Sequence, residues 1–411
     1  MQDSFELAPA PAGRRRICLV GPSFRFLSGL SVYTCRLANA LVEHHDVSVI
    51  LLDRLIPRRL YPGGSRTGES LSSMKYHPDV VMGPAIDWYW GGQINRAYTF
   101  LRAERPDVLV LQWWTAATLH TYLALAVAAR RLNIPVVLEF HELQDPGEAG
   151  IPMVGQYRQR FMPALLKRMA GALVHNEHDR RLLLGEYSPK ALRHLRIDIA
   201  PHGPYDHLST LEAPTASKPT GSPDVPTTSK DAEPPGTTRL LFFGLIRPYK
   251  GVEDLIEAFD GLTDEQVQSF SLTVVGETWE NWTKPAEAIA ASRHRDRITF
   301  INRYVSDDEA ARYFADADAL VLPYRRGSAS GPLQIAMSSG IHVLLYGVGG
   351  LVEAVSGYQG ATVLPAGDVE SLRAALLALP ARAGERFPDP HSWDANRAAL
   401  DRMVDAVTVP A

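Results

Sequence analysis

The fold of this chain is decided by residues 239–259, which read RLLFFGLIRPYKGVEDLIEAF. The apolar run 240–243 suits a parallel strand that is buried on both faces, and Gly244 ends it. From Val252 onward, apolar residues recur at the i, i+3, i+4 and i+7 spacing of a helix that packs on a sheet. The sequence therefore predicts a strand, a short turn and a helix, the repeating unit of an α/β domain.

The predicted turn carries two cations, Arg247 and Lys250, and the helix begins just after Gly251. Free backbone N–H groups at a helix N-terminus, together with fixed positive charge, favour the binding of a phosphate. A charged surface turn without a ligand is the alternative interpretation of these residues when they are taken alone.

The bulk composition describes an ordinary globular protein with two domains. A chain of 411 residues exceeds one comfortable hydrophobic core. The net charge of −4 gives no indication of nucleic-acid binding. No apolar run approaches ~20 residues, and residues 1–13 lack the apolar core of a signal peptide. Cys18 and Cys35 lie in predicted core elements, which favours buried thiols in a reducing compartment, and we expect a cytoplasmic protein.

Strands and helices alternate through the first half of the chain, which predicts a doubly wound parallel sheet. The predicted strands are 17–20, 46–52, 108–111, 136–140 and 172–175. The first helix ends near Glu43, and we expect Val32, Cys35 and Ala38 to face inward. Ligands of such sheets bind beyond the carboxyl ends of the strands. Three segments are predicted to lie there: Gln112-Trp113-Trp114, His141-Glu142 and Pro201-His202-Gly203. For each histidine, a hydrogen-bonded structural role is the alternative.

Residues 208–238 interrupt this pattern, because they are rich in Pro, Thr and Ser with almost no large apolar side chains. We interpret them as a flexible linker or a mobile loop. The second half then repeats the alternation, and strand 319–323 leads into a Ser/Gly loop, 327–332, that can wrap a phosphate or a sugar.

Two apparent metal motifs are weak. The pair Asp316 and Asp318 resembles DxD, but it closes a helix just before a buried strand. His175 and His178 have a helical spacing, but no further ligand follows at a suitable distance. We predict no metal site.

With both halves considered, the sequence resembles the GT-B glycosyltransferases, specifically the retaining family-four type (glycosyltransferase group 1). The matching segments are 243–251, 322–324 with 328–331, 340–343, 349–353 and 364–368. The resemblance implies an α/β fold of two Rossmann-like, doubly wound parallel-sheet domains that face a central cleft. The implied division is 14–207 for the acceptor domain, 208–238 for the linker, 239–390 for the nucleotide-sugar donor domain, and 391–411 for a C-terminal helix that crosses back to the first domain.

The resemblance also implies roles for individual residues. Arg247 and Lys250 would hold the donor diphosphate, and His141 would contact the sugar near the reacting centre. Gly29 would close on the donor, and Glu277 would lie in the nucleotide pocket. We assign acceptor binding to a group of aromatic and acidic residues, with a buried aromatic core as the alternative for the two tryptophans. They are Trp113, Trp114 and Glu142.

One feature of the family is absent. Two glutamates in an E-x7-E arrangement would fall at Gly327 and Ile335. A subset of these enzymes is similar to this chain in having a Ser-x-Ser-Gly loop instead. The candidates to replace the glutamates in donor binding are Ser328, Ser330, Gly331 and Gln334.

The implied function is transfer of a hexose, with retention, from a nucleotide-diphosphate sugar such as a UDP- or GDP-hexose to a hydroxyl acceptor. The acceptor is a glycan, a glycolipid or a small molecule, and no cofactor or metal is expected. The basic, partly apolar segment 54–68 either contacts the inner membrane face peripherally or is a solvated loop. The rival functions are a nucleotide-sugar 2-epimerase and a degenerate GT-B protein that binds without catalysis.

Overall fold

A computed structural model describes residues 13–25, 29–54, 74–87, 92–143, 152–208, 236–279, 282–327 and 329–408. The chain divides into two compact units. The first comprises Met1–Gly203 and Ser392–Ala411, and the second comprises Pro204–His391. Among the described residues, no helix is long and apolar enough to cross a bilayer.

In its described residues the first unit contains an eight-stranded parallel sheet. Its strands are β1 (Arg16–Pro22), β2 (Asp46–Arg54), β3 (Val81–Met82), β4 (Ile86–Asp87), β5 (Val108–Trp113), β6 (Val136–Phe140), β7 (Gly171–Val174) and β8 (Arg196–Ile199). Its first six helices are α1 (Gly29–Val42), α2 (Gln93–Glu104), α3 (Leu119–Arg131), α4 (Pro152–Leu166), α5 (Glu177–Glu186) and α6 (Pro189–Leu192).

The strand order in this sheet is β3-β2-β1-β5-β6-β7-β8, with β4 also paired to β2. The chain winds outward from β1 in one direction and from β5 in the other, so the switch point lies between these two strands. All six residues of β5 and all five of β6 are buried, as expected for strands covered on both faces. The switch point and the neighbouring strand ends are therefore where this fold places a ligand.

The second unit repeats this architecture with six parallel strands. They are β9 (Thr238–Phe243), β10 (Phe270–Val275), β11 (Ile298–Ile301), β12 (Ala319–Leu322), β13 (His342–Tyr346) and β14 (Ala361–Leu364). The helices between them are α7 (Val252–Asp260), α8 (Lys284–Ala291), α9 (Asp307–Asp316), α10 (Gly331–Ser338), α11 (Leu351–Ala354) and α12 (Val369–Ala378). The order β11-β10-β9-β12-β13-β14 puts the switch point between β9 and β12.

The strand, turn and helix predicted from residues 239–259 are confirmed as β9 and α7. The apolar stripe of α7 is buried as the spacing required: Val252, Leu255, Ile256 and Phe259. The acidic residues Glu253 and Asp254 lie in its first turn, where the helix dipole favours negative charge. This strand–turn–helix segment forms one side of the switch point in the second sheet.

Asp318 joins two strands beside that switch point. Its carboxylate accepts from the backbone N–H of Arg239 at 2.9 Å and from the guanidinium at 3.0 and 2.9 Å. A bidentate pair of this kind is strong and fixes geometry. The ion pair therefore ties the start of β9 to the start of β12 and gives Asp318 a structural role.

The C-terminal helix α13 (Trp393–Thr408) packs in the first unit, against α1, β7 and β8. Asp401 bonds the ring of buried His45 at 2.8 Å, and Arg15 donates to Asp405 at 2.8 Å. A Cβ atom on Gly203 would lie 2.4 Å from the Trp393 ring, so only glycine allows this approach. Residues from the end of the chain thus reach the carboxyl end of the first sheet.

Two predicted segments fall largely outside the described residues. Of the linker 208–238, residues 209–235 are outside, and the boundary between the units lies at Gly203 and Pro204. Of the basic segment 54–68, only Arg54 is described, and its guanidinium donates to Asp87 at 3.0 and 2.6 Å. Both segments keep the status of sequence predictions.

Candidate functional site

The turn that follows β9 packs against the carboxyl end of β12. Residues Pro248–Lys250 form a single 3₁₀ turn, and Gly251 adopts a left-handed conformation with φ of 65°. A Cβ atom on Gly251 would lie 2.0 Å from the carbonyl oxygen of Pro323. The Arg325 N–H also donates to the carbonyl of Tyr249 at 2.8 Å. Glycine is therefore required here, and the turn is held at the switch point of the second sheet.

Lys250 and Arg247 lie beside aromatic rings in this turn. The Lys250 side chain is 9% exposed, and its Nζ lies 3.7 Å from the centre of the Tyr324 ring and 5.2 Å from that of Tyr249. The Arg247 Cζ lies 5.7 Å from the same Tyr249 ring. Burial raises the pKa of Tyr324, so this phenol stays neutral beneath the ammonium group. Cation–π contacts with these rings help to orient both charges.

The loop after β10 is bonded to the same turn. The Ile246 N–H donates to the carbonyl of Glu277 at 2.9 Å, and the Trp279 indole donates to its carboxylate at 3.2 Å. The centre of the Trp279 ring also lies 6.0 Å from the Arg247 Cζ. Trp279 therefore links Glu277 to Arg247 in the structure.

The Ser/Gly loop after β12 leads into α10 at the same strand edge. Ser330 is the N-cap, and its hydroxyl accepts from the Leu333 N–H at 3.3 Å, while Gly331 is the first helical residue. The Gln334 side chain is buried, and its Oε1 has no hydrogen-bond partner within the described part of the chain. A buried carbonyl without a donor costs free energy, so this oxygen is suited to accept from a ligand hydroxyl. Ser328 lies outside the described residues.

In the first unit, three neighbouring strand ends meet around His141. Its backbone N–H donates to the Trp113 carbonyl at 2.8 Å, which joins the end of β6 to that of β5. Its Nδ1 lies 2.9 Å from the Nε2 of His175, at the end of β7. Its Nε2 lies 3.8 Å from the carboxylate of Glu139. The His202 and Tyr33 rings complete the cluster, with centres 4.7 Å apart.

Burial sets the protonation of this cluster. It lowers the pKa of His141 well below its ordinary value, and the charges of His175 and His202 lower it further. Burial likewise lowers the pKa of His175 to about 4. It raises the pKa of Glu139 to about 7, against the hydrogen bonds from Tyr33 and Gln112. Both imidazoles in contact are therefore neutral at neutral pH.

The remaining predicted residues of the first unit differ in accessibility. Trp113 is 1% exposed and packs in the hydrophobic core, so its ring has no open face for a sugar. Trp114 and Glu142 are half-buried at the same strand edge. Gly29 is the first residue of α1. Of the acceptor residues, Trp114 and Glu142 thus keep accessible surface.

Sequence reasoning missed several residues of this cluster. The sequence places His175 at a helical spacing from His178, whereas in the structure its ring bonds that of His141. Glu139 lies within a strand that is otherwise apolar. In α1, Tyr33 is buried, whereas Val32, which we expected to face inward, is only half-buried. The signals available were one acidic residue in a buried strand and two histidines at successive strand ends.

Glu139, His141 and His175 each offer an atom within 4.8 Å of the others, a spacing that a cation can bridge. In the structure, however, the two imidazoles bond each other at 2.9 Å. A cation held between them would have to displace this hydrogen bond. The contacts that exist are those of a hydrogen-bonded chain.

Each half of the chain matches a family of glycosyltransferases. Residues 28–197 match the family described as "Glycosyl transferase 4-like domain", and residues 237–381 match "Glycosyl transferases group 1". The chain belongs to the group 1 glycosyltransferases. The two matches cover one domain each, and the GT-B fold predicted from the sequence is confirmed.

Solved structures of this glycosyltransferase fold are similar over nearly the whole chain. Sucrose-phosphate synthase from Thermosynechococcus elongatus has a TM-score of 0.60 at 16% identity, with 96% of each chain covered. The Anabaena protein HepE in complex with UDP-glucose has a TM-score of 0.58 at 12% identity, covering 95% of this chain and all of that one. At these identities the likeness shows the fold alone.

A curated relative matches a shorter stretch. It is described as GDP-mannose:glycolipid 4-beta-D-mannosyltransferase from Xanthomonas campestris pv. campestris, and it is 39% identical over 106 residues. The match spans 25% of this chain and 29% of the relative. The substrates of this glycosyltransferase are therefore a matter for proposal.

Proposed function

We propose that this glycosyltransferase moves a hexose from a nucleoside-diphosphate sugar to a hydroxyl acceptor, with retention and without a metal. The observation that carries the proposal is the pair Arg247 and Lys250 on one turn at the switch point of the second sheet, beside Tyr249. Cleavage of the sugar–phosphate bond builds negative charge on the leaving oxygen. Preorganised cations stabilise that charge where it develops.

The donor would be held along this strand edge. Arg247 and Lys250 would bind its diphosphate, and the N-terminus of α10 at Ser330 and Gly331 would add backbone N–H groups. Gln334 Oε1 would accept from a ribose or sugar hydroxyl, in place of the glutamates that this chain lacks. Glu277 would lie beside the nucleoside.

The first unit would contribute neutral hydrogen-bonding groups. His141 would accept from a substrate hydroxyl through Nε2, a buried atom to which no described residue makes a hydrogen bond. Trp114 and Glu142 would contact the acceptor, because both keep accessible surface at this strand edge. Gly29, at the start of α1, would approach the donor without a side chain.

Retention would follow from attack on the same face from which the phosphate leaves, with the departing phosphate as the base. The name of the curated relative specifies a β-linked product. The anomeric configuration of the product made by this chain therefore tests retention. Nuclear magnetic resonance of the first product formed should show the anomeric configuration of the donor. A product of opposite configuration would replace retention by inversion.

We further propose a cytoplasmic reaction on a glycan, glycolipid or small-molecule acceptor. The donor class fits the names of similar proteins, which include complexes with UDP and UDP-glucose and a glycolipid mannosyltransferase. Cys18 and Cys35 are free and buried, as in a reducing compartment. Peripheral membrane contact is tested by sedimentation with anionic vesicles.

Release of nucleoside diphosphate from a panel of UDP- and GDP-hexoses tests the function. We expect release from one class of donor, stimulated by a hydroxyl acceptor. Binding of a nucleotide sugar with no release under any acceptor would favour the degenerate GT-B protein. Interconversion of the donor at its 2-position, without transfer, would favour the epimerase.

A further inference from the structure

His141 is one member of a chain of hydrogen bonds at the carboxyl edge of the first sheet. The carbonyl oxygen of Ala200, just after β8, lies 2.9 Å from the Nδ1 of His175. The Nε2 of His175 lies 2.9 Å from the Nδ1 of His141. Both rings are buried, so water does not compete strongly for these bonds.

The chemistry of these atoms gives the chain one direction. A carbonyl oxygen only accepts, so the Nδ1 of His175 carries a proton and donates to Ala200. Because a neutral imidazole has one proton, the Nε2 of His175 is then a lone pair that accepts from His141. His141 in turn has its proton on Nδ1. Its Nε2 is left as an acceptor.

This acceptor atom is buried and has no hydrogen-bond partner among the residues that the structure describes. The ionisable group beside it is the carboxyl of Glu139, whose Oε2 lies 3.8 Å away, beyond hydrogen-bond distance. The other oxygen of Glu139 accepts from the hydroxyl of Tyr33 at 2.6 Å. Tyr33 thus holds the carboxyl group in place beside His141.

The C-terminal helix completes the arrangement. The Asn396 amide of α13 donates to the Tyr33 hydroxyl at 2.9 Å and to the Pro201 carbonyl at 2.8 Å. The ring centres of Tyr33 and His141 are 4.5 Å apart with an interplanar angle of 76°, an edge-to-face contact. Asn396 therefore connects the end of the chain to the position of the His141 ring.

We propose that His175 and the Ala200 carbonyl fix His141 in the Nδ1-protonated tautomer, so that its Nε2 accepts a hydrogen bond from a hydroxyl of the sugar substrate. This inference deepens the proposed function and rests on it. His175 is a positioning residue that acts through His141, and Asn396 acts through Tyr33. The tautomer selects a hydroxyl, because a phosphate oxygen has no proton to offer to Nε2.

The tautomer is measured directly by nitrogen-15 resonance of histidine-labelled, full-length protein. At neutral pH, we expect Nδ1 of His141 to be protonated and Nε2 to be unprotonated. A proton on Nε2, or on both nitrogens, would overturn the proposal. So would a stoichiometric divalent cation bound to this histidine in the purified protein, since it would occupy a nitrogen lone pair.

Two variants of His175 separate the hydrogen bond from the bulk of the ring. His175→Gln keeps an acceptor for His141 and a donor for Ala200, whereas His175→Leu has neither. We expect His175→Leu to mix the His141 tautomers and to lower kcat/KM for donor turnover about 10- to 100-fold, as loss of an orienting partner does. His175→Gln should recover most of both. Equal behaviour of the two variants would overturn the proposal.

The matched control is His45→Leu. Like His175, His45 is buried and hydrogen-bonded, in its case to Asp401 of α13 at 2.8 Å. Its loss should lower stability without changing the tautomer of His141. If His175→Leu fails to fold, the tautomer of wild-type protein and the behaviour of His175→Gln still decide the question.

The experiment separates this inference from the proposed function. The predicted tautomer in a protein that turns over no donor would leave the hydrogen-bond chain standing and reject the function. Donor turnover by a protein with the other tautomer would keep the function and reject the role of His175.

Discussion

The two units hold their candidate functional groups at equivalent strand edges, but by opposite means. In the second unit, the groups are cations beside aromatic rings, and Arg247 and Lys250 belong to one short turn. In the first unit, the groups around His141 are buried imidazoles that are neutral at neutral pH, and Asn396 bonds Tyr33 across 363 positions of sequence. One edge is built locally, and the other is built by the whole fold of its unit.

The difference determines what each edge can recognise. Cations attract an anion of any detailed shape, and their effect depends on charge. A neutral imidazole with a fixed tautomer recognises a single donor atom, and its effect depends on orientation. We therefore expect loss of charge to dominate in the second unit and loss of positioning to dominate in the first.

Loss of Lys250 should have the largest effect. Lys250→Ala removes a buried charge from the proposed diphosphate site, so kcat/KM for the donor should fall about 100- to 1,000-fold. Steady-state kinetics with the active donor measures it. The control is Lys284→Ala, which removes another lysine beside an aromatic ring, that of Trp282, from the same unit. Similar kinetics of the two variants would contradict the expectation that loss of charge dominates in the second unit.

Glu139→Gln should reveal the cost of the buried carboxyl in the first unit. Its folded-state pKa of about 7 lies above the ordinary 4.5, so its contribution to stability is present at low pH and is lost as pH rises through 7. As the pH rises from about 4.5 to about 7, the free energy of unfolding of the wild type should therefore fall by about 3 kcal/mol relative to that of the variant. Urea unfolding from pH 4 to 8 measures it. A constant difference would mean that Glu139 is not titrating there.

Asp318→Asn tests the structural role of the apparent DxD pair. Loss of the charge that holds Arg239 should lower the free energy of unfolding by about 2 kcal/mol. Donor affinity should stay the same, because the pair lies at the opposite end of the strands from Lys250. Chemical unfolding and nucleotide titration check both. Normal stability with lost, metal-dependent activity would revive a metal motif.

Gln334→Leu should have a smaller effect on the charged edge. It removes one proposed hydroxyl acceptor, so nucleotide-sugar affinity should weaken about 10-fold. Calorimetric titration measures it. The control is Ser338→Ala in the same helix, whose hydroxyl bonds Asp389 at 3.0 Å. Unchanged affinity in Gln334→Leu would remove this side chain from the donor site.

The sequence predicts the charged edge well because its determinants are contiguous. The apolar run of β9, the cations and the stripe of α7 fall within 21 residues, and each has a local physical signature. The neutral edge is different. His141 was found from its place after a strand, but Tyr33 and Glu139 are 106 positions apart and carry no joint signal. Only the packing of α1, β6 and α13 brings them together.

We predict that a nucleoside diphosphate binds at the strand edge formed by the ends of β9 and β12. Hydrogen–deuterium exchange of the full-length protein, with and without saturating UDP or GDP, tests it most directly. We predict slower exchange in peptides that cover 244–251 and 329–334, and its loss in Lys250→Ala. Protection elsewhere in the chain, with none at these two segments, would contradict the account.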